Sequence, residues 1–168
     1  SFKLSLDSGE PMAIIGTDGG LMPTPQYVKS FRMGSAERYE VVIDFSRMKR
    51  ILELRPGDLF MRVEPGLVTQ DLAQAAAAER LFYPPDPGSL ESCTIGGNVA
   101  TNAGGTRAVK YGSTVRYVWG LEVVLASGEL MRMGRQSLKG VAGYDLTSLL
   151  VGSEGTLALI SGITVHVI

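Results

Sequence analysis

The chain has one cysteine, one histidine and one tryptophan among its 168 residues. A lone Cys93 excludes an internal disulfide and any zinc site built on paired cysteines. A lone His166 leaves no imidazole cluster, so no metal site is expected. Charge of one sign is not in excess either. Sixteen Lys and Arg stand against 17 Asp and Glu, for a net charge of −1, which gives no electrostatic case for nucleic acid or for an anionic membrane surface. No apolar run is long enough to span a bilayer. There is no basic start followed by an apolar stretch of the secretory kind. A cytoplasmic protein with no nucleic-acid and no membrane partner is the expectation. Repeats, low-complexity tracts and charge blocks are missing as well.

What is present is an ordinary globular composition, 45% apolar and 20% charged, in a length suited to one domain-sized core. Phe2 to Leu6 alternates with the period of a strand, and Asp7 to Pro11 reads as a turn. Met12 to Ile15 is a short strand candidate that ends at Gly16-Thr17-Asp18-Gly19-Gly20. Glu40 to Phe45 is β-branched and apolar. Arg47 to Leu54 continues extended, and Arg55 to Asp58 turns into Leu59 to Glu64. Thr69 is placed to cap a helix that runs to about Arg80, with Asp71 in its first turn and a run of alanines from Ala75 to Ala78. Pro84, Pro85 and Pro87 force an extended loop. Val118 to Leu125 and Leu130 to Met133 flank a hairpin turn at Ala126 to Glu129. Tyr144 to Leu150 fits a short helix with Asp145 near its start. Leu157 to Ile168 is a closing strand bent at Gly162. Strands and helices mix without regular alternation, which predicts an α+β fold.

The most informative stretch is Thr94-Ile95-Gly96-Gly97-Asn98-Val99-Ala100-Thr101-Asn102-Ala103-Gly104-Gly105. Glycines let a backbone approach a ligand closely, and successive N–H groups in such turns form a concave nest for anions. Asn98, Thr101 and Asn102 add neutral hydrogen-bonding groups. The run suits a pyrophosphate held by fixed dipoles; a plain Gly-rich surface turn is the alternative. Arg107 and Lys110 follow closely, either to neutralise phosphate or as solvated loop residues. Cys93 reads as a small semi-buried filler, Trp119 as core, and His166 as one side chain of the terminal strand.

The run, with Lys110-Tyr111-Gly112 and then GLEVVLASGE (Gly120 to Glu129), resembles the FAD-binding domain of the FAD-linked oxidases, in the type of the glycolate oxidase flavin subunit and of the D-lactate and D-2-hydroxyglutarate dehydrogenases. The likeness runs from near Val41 to the C-terminus. It includes VEPG (Val63 to Gly66), YPPDPGS (Tyr83 to Ser89) and VAGYDLTSLLVGSEGTLALI (Val141 to Ile160), in the family's order. The resemblance implies FAD as cofactor and the larger, antiparallel-sheet lobe of the flavin domain as the fold. Carried over residue by residue, it implies cofactor contacts from Pro87, Gly88 and Ser89, from Thr94, Gly96, Gly97, Asn98, Thr101, Asn102, Gly104 and Gly105, and from Glu154, Gly155 and Ile160. It assigns no catalytic residue.

The first third is different. Ala13 to Pro23 and Ala36 to Ser46 resemble a cupredoxin domain of multicopper oxidases, which predicts a chimera joined between Val41 and Arg50. Residues 1–45 are then a cupredoxin-like β segment, not an independent domain, and residues 46–168 a partial FAD-binding domain. A copper function is not expected with it, because such centres need His pairs with Cys. The family's first phosphate loop is replaced, and Asp18 in the GTDGG stretch would repel a pyrophosphate. Losing two or three charge-assisted donors costs about 3–9 kcal/mol, or roughly two to six decades in affinity. The expected function is therefore the FAD-binding portion of a 2-hydroxy-acid oxidoreductase, inactive alone. The rival is a non-catalytic folded chimera with no ligand. Either reading allows a homo-oligomer through unpaired strand edges.

Overall fold

The computed structural model describes residues 2–5, 12–17, 20–33, 39–137, 139–140 and 143–168. The chain divides into two compact units, Ser1–Asp44 and Phe45–Ile168.

Among its described residues the first unit holds β1 (Phe2–Ser5), β2 (Met12–Thr17), β3 (Gly20–Val28), β4 (Ser30–Met33) and β5 (Tyr39–Val42). β1 pairs with β4, and β2 lies between β3 and β5, all antiparallel. β2 buries Met12 and Ile14 on one face, as its apolar spacing requires. Proline lacks the N–H that a sheet interior needs. Pro23 and Pro25 accordingly sit on β3, an edge strand, where the register with β2 shifts between Ile14 and Gly16. The strand expected over Glu40 to Phe45 stops at Val42. Leu6, the Asp7 to Pro11 turn, and Asp18 and Gly19 lie outside the described residues.

The second unit is built on one antiparallel sheet. Its elements are β6 (Ile51–Arg55), β7 (Phe60–Val63), α1 (Thr69–Ala78), α2 (Ile95–Thr101), α3 (Ala108–Tyr111), β8 (Val118–Leu125), β9 (Leu130–Gly134), α4 (Leu146–Leu150) and β10 (Ala158–His166). The strand order is β6-β7-β10-β8-β9. This is the α+β architecture expected. The hairpin β8/β9 turns where Gly128 takes φ +85, and β10 changes register against β8 between Ile160 and Gly162, at the expected bend.

Period-2 alternation aims Met61 and Val63, Leu121 and Val123, and Ile163 and Val165 to one side of the sheet. There they meet Leu72 and Ala76 of α1, and Ile95 and Val99 of α2, in a single core. Tyr83 is fully buried in it with its ring edge-on to Tyr117. Its hydroxyl has no hydrogen-bond partner among the described residues, and burial pushes its phenol far above the ordinary range.

VEPG is the joint between β7 and α1. Glu64 is buried, and its carboxylate accepts Arg50 N at 2.8 Å, Arg50 Nε at 3.1 Å and Arg50 Nη2 at 2.7 Å. These bonds hold the carboxyl below its usual range against the opposing effect of burial. Gly66 donates to Met48 O at 2.7 Å, and a Cβ there would fall on the Phe45 carbonyl. The segment before β6, expected to be extended from Arg47, is thereby folded against this turn, and the strand begins only at Ile51.

Two local expectations are corrected. Thr69 is not the cap of α1; Val68 is, with no side-chain bond, and the Thr69 hydroxyl turns inward to donate to Cys93 O at 3.2 Å. The helix ends at Ala78 rather than near Arg80, which adopts φ +61. Asp145, in contrast, caps α4: its Oδ1 accepts Ser148 N at 2.9 Å and its Oδ2 accepts Ser148 Oγ at 2.6 Å, which lowers its pKa. No helix among the described residues is long and apolar enough to cross a membrane.

Candidate cofactor-binding site

The central run is mostly a helix. Thr94 is extended and caps α2, its Oγ1 accepting Gly97 N at 3.2 Å. Two glycines in the first turn of a seven-residue helix are unfavourable, each by about 1 kcal/mol relative to alanine. Packing overrides this: Ile95 and Val99 are completely buried. Gly96 is required by closeness, because a Cβ there would lie 2.6 Å from Pro65 Cβ and 2.9 Å from Pro65 O.

The expected anion nest at the first glycine pair is therefore not what this backbone forms. Ile95 N donates to Leu67 O, Gly96 N to Pro65 O, Gly97 N to Thr94 Oγ1 and Asn98 N to Thr94 O. The close approach that Gly96 allows is to the chain itself. The second pair differs. Among the described residues the N–H groups of Gly104 and Gly105 have no acceptor. Gly105 takes φ +131, where its missing Cβ makes room for the Asp86 carbonyl.

The two asparagines are structural clasps. Asn98 is buried and its Nδ2 donates to Thr69 Oγ1 at 2.7 Å. Thr69 Oγ1 also accepts Cys93 Sγ at 3.2 Å, so α1, α2 and the preceding loop meet at one hydroxyl. Asn102 ends α2 with φ 50, and its Oδ1 accepts Val115 N at 3.0 Å. Thr101 faces outward on α2 with Gly97, its hydroxyl donating to Gly97 O at 2.9 Å.

Two further segments are tied to this helix and the residues that follow it. Gly152 N donates to Val99 O and Glu154 N to Ala100 O, both at 2.9 Å, which sets Glu154 (φ 52) and Gly155 (φ 76), both exposed, beyond its C-terminal end. On the proline loop Asp86 O accepts Thr106 N at 3.3 Å and its Oδ2 accepts Thr106 Oγ1 at 3.0 Å. Pro87 is buried, while Gly88 and Ser89 are exposed. Ser89 O accepts Ser92 N and Cys93 N. Ile160 stands apart, its side chain committed to the core of the sheet. The fold thus ties the Glu154–Gly155 segment to the end of α2 and, through Asp86, the proline loop to Thr106 just past the second glycine pair.

Arg107 and Lys110 are both occupied. Arg107 pairs with Asp86 at 3.4 Å and lies over Phe82, and Lys110 lies over Tyr111. His166 stacks on Trp119 with ring centroids 4.3 Å apart, and burial lowers its pKa. Among the described residues no group of three or more His, Cys, Asp or Glu side chains is arranged to hold a metal. Sequence reasoning missed Pro65, Thr69, Asp86 and Val115 as partners of the run. The only signal for them was that Pro65 and Asp86 belong to motifs travelling with it.

Apart from Glu154, the outward positions of these segments are glycines and small hydroxyl residues. A Cβ added at Gly88 or Gly155 would meet nothing within 4 Å, and one at Gly97 would meet only Thr94 Oγ1, at 3.3 Å. A family model described as FAD binding domain matches residues 29–134. The glycolate oxidase subunit GlcD of Bacillus subtilis (strain 168) is 51% identical over 121 residues, 72% of this chain and 26% of that protein. An uncharacterized FAD-linked oxidoreductase of Mycobacterium tuberculosis (strain ATCC 25618 / H37Rv) is 41% identical over 165 residues, 97% of this chain and 33% of that protein. A solved structure of alkyldihydroxyacetonephosphate synthase superposes with a TM-score of 0.62 at 26% identity, covering 74% of this chain and 22% of that one. The chain thus spans about a quarter to a third of the curated relatives. The family match starts at residue 29, ahead of the Val41 to Arg50 join expected from the sequence.

Proposed function

Because the chain belongs to the FAD binding domain family, we propose that it holds the flavin nucleotide of a glycolate-oxidase-like 2-hydroxy-acid oxidoreductase and is not catalytic alone. The observation that carries this reading is the surface around α2. Backbone bonds tie the late motif to the end of α2 and the proline loop to Thr106 after it, and the outward positions are glycines or small hydroxyl residues, with Glu154 beside them.

The roles divide by burial. Gly104 and Gly105 offer N–H donors for phosphate oxygens. Gly97, Thr101, Gly88, Ser89, Glu154 and Gly155 form the contact surface. Thr94, Gly96, Asn98, Asn102 and Pro87 belong to the same site as supports that fix where that surface lies, and Ile160 braces the sheet beneath. Bound flavin supplies hydride-accepting chemistry; this chain binds and orients it.

Cytoplasmic location belongs to the same reading. So does the cupredoxin-like origin of residues 1–45, read as a β segment and not an independent domain. Its support is a first unit that holds only strands among its described residues and ends at Asp44. The family match from residue 29 and a relative aligned over 97% of the chain weigh against a foreign parent. Self-association through strand edges such as β3 and β9 completes the proposal. The test is a titration of flavin fluorescence with the purified chain and with Gly97→Val, whose branched side chain stands on the exposed edge of α2. Binding should weaken at least tenfold with little change in far-UV circular dichroism. Equal affinities would remove the assignment.

A further inference from the structure

The face of the five-stranded sheet turned away from the helices carries a feature that flavin binding leaves unused. Alternation that sends Met61, Leu121 and Ile163 into the core brings Arg62, Glu122 and Thr164 out on the opposite face. With Arg132 and Arg135 they line a groove of about 470 Å³. Small-ligand pockets span roughly 300–1,000 Å³.

Its floor is lowered by glycine on three adjacent strands. Gly120 of β8 pairs with Gly134 of β9 and with Thr164 of β10, and Gly162 of β10 stands opposite Glu122. Gly134 takes φ +97, and a Cβ there would fall on the Trp119 carbonyl, so this stretch of floor must stay bare.

Charge in the groove does not balance. Arg132 Nε lies 2.6 Å from Glu122 Oε2, which uses the only carboxylate in the lining. Arg62 and Arg135 form no ion pair among the described residues. A guanidinium offers a planar fork of donors matched to carboxylate and phosphate oxygens, and Thr164 adds a hydroxyl between the strands. We propose that this groove binds a small ligand carrying two or more negative charges, as phosphate or carboxylate, on the sheet face opposite the flavin segments.

The experiment is isothermal titration calorimetry of the full chain with inorganic pyrophosphate and, separately, with citrate at low ionic strength. The two arms distinguish a phosphate site from a carboxylate site. Saturable binding of at least one probe is expected. Each of Arg62→Gln and Arg135→Gln removes one charge-assisted partner and should weaken it by about tenfold. Glu122→Gln frees Arg132 and should tighten it. Arg62 and Glu122 stand on the outer face of the sheet and Arg135 directly follows β9, so circular dichroism should be unchanged. Lys49→Gln, an exposed cation outside the groove, should leave the affinity as it was, and so should Gly97→Val, which separates this site from the flavin surface. No heat with either probe would overturn the proposal. So would arginine variants that bind like the parent, or a loss in Lys49→Gln as large as theirs.

Discussion

Alanine at Gly96 and alanine at Gly97 should move stability in opposite directions, although the two positions are adjacent in one helix. At Gly96 the new Cβ would lie 2.6 Å from Pro65 Cβ, 2.9 Å from Pro65 O and 3.1 Å from Pro65 Cα. Ordinary contacts begin at 3.4 Å, so the start of α2 must retreat from the turn by several tenths of an ångström or more. Overpacking of this kind costs about 1–3 kcal/mol. The retreat also stretches the 2.8 Å bond from Gly96 N to Pro65 O, worth about 0.5–1.5 kcal/mol. Better helix propensity returns at most about 1 kcal/mol, which leaves a net loss of about 1–3 kcal/mol. At Gly97 the new Cβ meets only Thr94 Oγ1, at 3.3 Å, a tenth of an ångström inside ordinary contact that a hydroxyl at the helix cap yields by a small rotation, so most of the propensity gain should appear, as up to about 0.5–1 kcal/mol of stabilisation. Urea denaturation followed by circular dichroism, with m-values compared, reads both. Equal midpoints for the two variants, or a more stable Gly96→Ala, would refute the claim that the first glycine serves internal packing.

Glu64→Gln should destabilise by about 1–2 kcal/mol at pH 7, the value of a charged hydrogen bond discounted because Arg50 is largely exposed. The folded pKa of Glu64 is lowered, so this contribution is complete above the unfolded value of about 4.3 and disappears as pH falls through the folded value; urea midpoints of parent and variant should converge in acid, and a gap that persists there would contradict the assignment. Tyr83→Phe removes a buried hydroxyl without a partner among the described residues, and should raise the thermal midpoint, by the equivalent of about 1 kcal/mol; a fall of that size would mean that the hydroxyl is satisfied. If residues 1–45 fold cooperatively with the remainder, hydrogen exchange will protect the amides of Val41 and Val42 to a degree similar to those of Val123 to Leu125, whereas fast exchange throughout the first 45 residues would sink that reading.

Legibility followed locality. The β8/β9 hairpin could be read because Ala126-Ser127-Gly128-Glu129 sits between two apolar runs, and the bend of β10 because Gly162 interrupts β-branched sequence. Helix α1 was visible in its alanines, but its cap was not: Thr69 has the right chemistry for an N-cap, and tertiary hydrogen bonds to Cys93 and Asn98 outbid that use. Helix α2 was hidden for the same kind of reason. Two glycines and three cap-forming side chains argue for a loop, and only the burial of Ile95 and Val99 against the sheet makes a helix of them. The motifs that carry the proposed site were legible, but the internal roles of their residues were not. Glycines that read as room for a ligand prove, at Gly96 and Gly105, to be room for Pro65 and Asp86.

The most direct test of the flavin site is the visible absorption and fluorescence of FAD titrated with the purified chain. Saturable binding of one flavin per chain is expected. Gly97→Val should lose at least tenfold in affinity with an unchanged circular dichroism spectrum. No spectral change up to millimolar protein, or binding that Gly97→Val leaves intact, would contradict the assignment of the flavin to the surface around α2.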